Sequence, residues 1–247
     1  MIKKRKKTKI VATLGPAINT KEMMEEMMLA GVNVFRINFS HADYDDVKTK
    51  IRWIRELNEE NNYNVAALAD LQGPQLRVGV MEKKVKLKVG DEFVFTTEEC
   101  IGTAEKAYMT YQNFPKDVEA GEKILVDDGK LLFEVIDTDR DTKVVTKVLR
   151  GGSLKSKKGV NLPNTKISLP ALTKKDIKDA IFAIEQEVDW IALSFVRTPE
   201  DLVKLADLIK EKSSYKIPVI AQIEKPEAVA NINHLTAYCD GIMVARG

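Results

Sequence analysis

Cysteine is scarce in this sequence: Cys100 and Cys239 stand far apart, with no neighbours at metal-binding or redox spacing. That excludes a cysteine-built metal or redox motif and fits a reducing, cytoplasmic setting. No apolar run is long enough to span a bilayer, so no membrane partner is expected. The early "IVATLGP" is short and ends in Gly-Pro, so it does not read as a signal peptide. An excess of one charge is also missing, with 39 basic against 37 acidic residues and a net of +2. That balance argues against a dedicated nucleic-acid binder. The exception is the start, "MIKKRKKTK", read as a solvated tail before the first strand rather than a basic arm. Neither G-x-G-x-x-G nor a P-loop is present, so neither of those glycine-rich phosphate turns is available. With 247 residues, the chain can bury a substantial core in one or two domains.

What is present is an alternation of strand and helix with one interruption. "KIVATLG" (9–15) reads as a strand. The helix "TKEMMEEMMLAG" follows, with Thr20 as cap and Gly31 as stop, its methionines reading as core filler. "VNVFRINFS" is a second strand. The next helix carries Val47, Ile51, Ile54 and Leu57 at helical spacing, and "VAALADL" is a third strand ending at Asp70. From about Pro74 to Pro163 helical periodicity fades. "VKLKV", "EFVFTT", "KILVDDGKLLFEVI" and "TKVVTKVLRGG" read as short strands, with Asp127 and Asp128 in a turn. The first grammar then resumes: a helix with Thr173 and Asp176 as a capping box, the strand "VDWIALSFV", and a helix capped by Thr198 with Pro199 first. The strand "IPVIAQIE", one helix over "KPEAVANINHLTAYC", and a last strand "DGIMVARG" follow. The expected domains are 1–73 and 165–247, forming one α/β unit, and 74–164, an inserted all-β unit.

Polar residues gather at the strand ends: Arg36, Asn38 and Ser40; Asp70; Ser194; Gln222 and Glu224; Arg246. Such a ring is the pattern of the active face of a (β/α)₈ TIM-type barrel rather than of an open sheet with one switch point. Only six of eight strands are read, so the barrel is incomplete in this chain, which reads as a fragment of a longer protein. Arg36, Asn38 and Ser40 alternate and therefore share a face. Arg36 can clamp a phosphate bidentately. Asn38, Ser40 and Asp70 offer oxygen ligands for a hard cation such as K⁺, Mg²⁺ or Ca²⁺, or else satisfy their own loops. Glu224 suits Mg²⁺ by type, or an ion pair at a helix start. His41 can reach a ligand from its loop; His234 reads as packing or surface. Lys155, Lys157 and Lys158, in "GGSLKSKKG", suit either a polyphosphate or solvent.

Taken together, the strings "TKIVATLGPA", "AGVNVFRINFSHA", "ADLQGPQLRVG", "ILVDDG", "KKGVNLP", "IEKPEAV" and "CDGIMVARG" resemble pyruvate kinase, in family order along the whole chain. The resemblance implies a barrel with an inserted β lid and phosphoryl transfer from phosphoenolpyruvate to ADP, giving pyruvate and ATP. It also implies Mg²⁺ (or Mn²⁺), a cytoplasmic setting and a homotetramer for the full-length protein. By the same resemblance, Arg36 holds the transferring phosphoryl group. Asn38, Ser40, Asp70 and the carbonyl of Leu71 form a K⁺ site. Asn38, His41, Arg77 and Lys158 meet the nucleotide, Glu224 binds Mg²⁺, and the backbone of Gly247 meets the substrate carboxylate.

Three departures bear on activity. Gln222 stands where the family has a catalytic lysine, so an amide replaces a positive charge. Gln75 stands where the family has an acid or a lysine, which leaves the need for K⁺ open; Leu71 replaces a threonine of one subgroup. The chain also ends before the family's second Mg²⁺ carboxylate. The expectation is an inactive or weakened fragment, with a catalytically dead binding or regulatory relative as the alternative.

Overall fold

The computed structural model describes residues 7–245, without the side chain of His41. The basic start (Lys3, Lys4, Arg5 and Lys6), Arg246 and Gly247 lie outside the described residues. Two compact units emerge among the described residues, one from 7–74 with 170–245 and the other from Gln75–Leu169.

The first unit is built on six strands: β1 (Val11–Thr13), β2 (Val34–Asn38), β3 (Ala66–Asp70), β4 (Trp190–Leu193), β5 (Val219–Ile223) and β6 (Gly241–Val244). They pair in that order, all parallel. Helices α1 (Lys21–Ala30), α2 (Tyr44–Asn61), α3 (Lys174–Glu185), α4 (Pro199–Lys212), α5 (Pro226–Ala230) and α6 (Ile232–Leu235) connect them. Strands covered on both faces must be apolar throughout; accordingly Ala67, Leu68, Ala69, Ile191, Ala192 and Leu193 are all buried. The sheet curls. Gln222 on β5 hydrogen-bonds Asp70 on β3, across the intervening β4. Two strand spacings on a flat sheet are roughly 9–10 Å, so the contact requires the curvature of a partial α/β barrel.

The expected caps are present. The Thr20 hydroxyl accepts from the Met23 amide, and Gly31 takes the left-handed conformation (φ 107°) that ends α1. Met24 and Met28 are buried, as core filler should be. Thr173 and Asp176 form the capping box of α3. The single helix expected over 225–239 is instead two. Asn231 leaves helical geometry (φ −96°, ψ 8°), and its side-chain amide donates to the Arg197 carbonyl at 3.1 Å. A local side-chain bond to another segment's backbone competes with the helix ladder and breaks the run. His234, on α6, is exposed.

The second unit is a seven-stranded sheet with a two-stranded companion, antiparallel except where Glu92–Thr96 pairs with Lys106–Tyr108. Phe93, Phe95, Phe114 and Phe133 meet edge-on or tilted at its centre, and all four are buried. Each such burial contributes about 1.5–3 kcal/mol. Asp127, Asp128 and Gly129 (φ 54°, 56° and 77°) form the tight turn between two strands.

A buried phenol closes this unit. The Tyr111 hydroxyl meets Asp117 and accepts from the Ser168 amide at 3.0 Å, with Ser168 Oγ at 2.9 Å. Burial, and then Asp117, push its pKa up to about 12. The native state therefore holds this proton more tightly than the unfolded chain, whose phenol titrates near 10. Below about pH 10 the phenol adds no pH dependence; stability falls as pH rises from there towards about 12. Tyr111→Phe is expected to lose about 1 kcal/mol at neutral pH and to show a shallower alkaline fall. Urea unfolding of both proteins across that range checks this; parallel curves would refute it.

Candidate functional site

Thr13, Arg36, Asn38, Asp70, Gln222 and Glu224 lie at the C-terminal ends of β1, β2, β3 and β5. Register brings the first four side by side, since Thr13 pairs with Arg36 and Asn38 with Asp70. Asp70 is the hub. Its carboxylate, only 3% exposed, accepts from Arg36 Nε at 2.6 Å, from a second Arg36 nitrogen, and from the Gln222 amide. Arg36 Nη1 also donates to the Thr13 hydroxyl at 2.9 Å. Arginine has five N–H donors; among the described residues three are engaged, and two remain, the number a bidentate phosphate contact needs.

The carboxyls are under electrostatic pressure. Burial raises Asp70 above the ordinary carboxylate range, against the opposing pull of Arg36 and Gln222. Burial, and then the negative charge of Asp70, push Glu224 up to about 7. A half-buried acid whose ionisation a buried carboxylate disfavours suits a hard divalent cation, which relieves that burden. Among the described residues, no group of three or more His, Cys, Asp or Glu could hold a metal ion. Mg²⁺ requires only one or two carboxylates and takes its other ligands from water and substrate, so this donor set fits it.

Of the residues read as K⁺ ligands, Asn38, Asp70 and Leu71 already accept hydrogen bonds, one local and the others from separate segments. Asn38 Oδ1 accepts from the Ser40 amide at 2.9 Å, and the Leu71 carbonyl accepts from Ser194 Oγ at 2.7 Å. Each oxygen keeps a second lone pair for a cation. Gly247 and the side chain of His41 lie outside the described residues. Arg77 and Lys158 belong to the β unit. There Arg77 bonds Gln75 and the Lys157 carbonyl (2.9 Å), and Lys158 pairs with Asp127 at 2.8 Å. Lys158 is the first cause holding the Asp127 carboxyl below its usual range.

Two residues at these strand ends escape a reading of the sequence. Thr13 orients Arg36, and its only signal is a hydroxyl inside an apolar strand. Lys225 is 3% exposed, and burial pulls its ammonium down to about 8. Its signal was its place between Glu224 and the helix-opening Pro226. A cavity of about 540 Å³ opens at the opposite ends of β5 and β6, lined by Ile209, Tyr215, Val219, Tyr238 and Asp240 among others. It holds the Lys216–Asp240 pair (2.5 Å) and none of the residues above.

Known proteins resemble this chain along nearly its whole length. A family model described as "Pyruvate kinase, barrel domain" matches residues 5–247. The pyruvate kinase of Bacillus licheniformis is 42% identical over 244 residues, and that of Geobacillus stearothermophilus is 43% identical over 245. Each match covers 98% of this chain, and the chain spans 42% of the length of either relative. The crystal structure of a pyruvate kinase from Cryptosporidium parvum superimposes with a TM-score of 0.90 at 34% identity, covering 97% of this chain and 50% of that one. No helix among the described residues is long and apolar enough to cross a membrane. With the family model spanning nearly every residue and relatives above 40% identity along the same length, the chain belongs to the pyruvate kinase family.

Proposed function

We propose that the protein carrying this chain transfers the phosphoryl group of phosphoenolpyruvate to ADP, slowly, because Gln222 is neutral. The observation that carries this reading is the convergence of Arg36, Asp70, Gln222 and Glu224 from three parallel strands. Phosphoryl transfer needs alignment and charge placed where charge develops. Arg36, steadied by Asp70 and Thr13, offers its two remaining N–H groups to the phosphoryl oxygens. Glu224 would hold Mg²⁺ (or Mn²⁺), which when bound supplies Lewis-acid stabilisation of phosphoryl and enolate oxygens. Gln222 can donate a hydrogen bond towards developing charge but contributes no charge of its own. Asn38, Ser40, Asp70 and the Leu71 carbonyl form the proposed monovalent site, and Asn38, His41, Arg77 and Lys158 the proposed nucleotide contacts. Gly247 is proposed to meet the substrate carboxylate. The family resemblance further supports the inserted unit as a lid domain, and a cytoplasmic homotetramer as the whole protein.

The test is calorimetry of phosphoenolpyruvate binding to the intact protein, alongside detection of pyruvate. Mg²⁺-dependent binding with slow pyruvate release is expected. Glu224→Gln should weaken binding by at least roughly 10- to 100-fold, the loss that even an outer partner of a metal ligand brings. Binding indifferent to both Mg²⁺ and Glu224 would refute the reading.

A further inference from the structure

Helix α3 contributes none of the proposed ligands, yet its first half holds both loops that carry them. Lys175 Nζ donates to the Phe39 carbonyl at 2.7 Å, between Asn38 and Ser40. It also pairs with Asp179 at 2.5 Å, one helical turn on. Asp179 is 1% exposed, and its other oxygen accepts from the Tyr44 hydroxyl at 2.7 Å. Tyr44 is the first residue of α2, and its ring stacks on Phe182 of α3 at 4.2 Å between centroids. The segment 39–44 is thus tied to one buried carboxylate at both ends. The neighbouring Asp176, itself buried, accepts from the Gly73 amide at 3.0 Å and so restrains the loop that leaves β3 through Leu71. Gly73 is left-handed (φ 67°), and a Cβ there would meet Phe195 at 2.8 Å, so this loop has little room to shift.

We infer that Lys175, Asp176 and Asp179 form a positioning bracket that sets the spacing of the Asn38, Ser40, Asp70 and Leu71 oxygens, and with it the affinity for a monovalent cation. The inference rests on the proposed cation site. The bracket touches neither cation nor substrate; it acts through the Phe39 carbonyl and the Gly73 amide. An ammonium on Phe39 is suited to this role because it cancels the carbonyl's partial charge without adding an oxygen to the site. Losing an outer partner of a metal ligand typically weakens metal affinity about 10- to 100-fold.

The test uses thallium(I) as the probe, followed by thallium NMR on the intact protein, together with hydrogen exchange of the Ser40 amide. Lys175→Met is expected to weaken thallium binding at least about tenfold and to speed Ser40 exchange, while exchange along α3 stays unchanged. Because Lys175 is half exposed, this variant should fold. Lys175→Arg keeps a donor and should restore affinity to within about threefold. Saturable thallium binding in the wild type that Lys175→Met leaves unchanged would overturn the bracket alone, whatever happens to exchange. No saturable binding in the wild type would overturn the cation site and, with it, the bracket.

Discussion

Replacing Gln222 by lysine is expected to raise the rate of pyruvate formation by about 100- to 1000-fold, the value of one well-placed donor to a developing anion in a dry site. The geometry favours the change. Gln222 is 5% exposed, and its amide already points at Asp70, with Glu224 two residues on. A lysine of similar reach would find one carboxylate to donate to and a second nearby to balance it. Its charge would also lower Glu224, now held at about 7 by burial and by Asp70, so that the carboxylate needed for metal is ionised at lower pH. A neutral control, Gln222→Met, should stay at or below the wild-type rate. The measurement is pyruvate release by the intact protein under saturating phosphoenolpyruvate, ADP and Mg²⁺. If lysine leaves the rate where glutamine had it, the role given to position 222 is wrong.

Arg36→Met is expected to abolish measurable transfer and to cost about 3 kcal/mol of stability at neutral pH. Breaking a buried ion pair typically costs 3–5 kcal/mol, because the surviving charge is left without its partner. The low end applies because the Arg36 side chain is 30% exposed. The survivor is Asp70, with only the Gln222 amide, among the described residues, still donating to it. Its pKa is already raised by burial against the pull of Arg36, and without the guanidinium it should rise further. A carboxyl whose folded pKa lies above its unfolded value gains stability from protonation. The variant's deficit should therefore shrink as pH falls through the folded pKa and be largest above it. Denaturant unfolding at several pH values measures this. Adding Asp70→Asn should recover much of the loss, since an amide can be buried without a counter-charge. A deficit below 1 kcal/mol that does not change with pH would mean that Asp70 does not depend on Arg36.

How far the sequence carried depended on the range of the interaction. The helix boundaries at Thr20, Gly31 and Thr173 are decided by bonds within four residues, so local chemistry announces them. The split of the last helix at Asn231 was illegible, because its cause is the carbonyl of Arg197 in another segment. Arg36 was read as a phosphate clamp without its constraints, since Thr13 and Asp70 are brought to it by strand pairing. The family resemblance named the proposed ligands. It could not reveal that α3, more than a hundred residues away, holds the Phe39 carbonyl between two of them.

Alternation of apolar strands with capped helices was enough to announce parallel strands with polar tips, because side-chain period and capping are properties of neighbouring residues. That Asp70 would sit beneath both Arg36 and Gln222, with Glu224 close enough to be pushed up by it, was decided only when the sheet curled. Curvature sums small twists over many strands, and no short stretch of sequence encodes it.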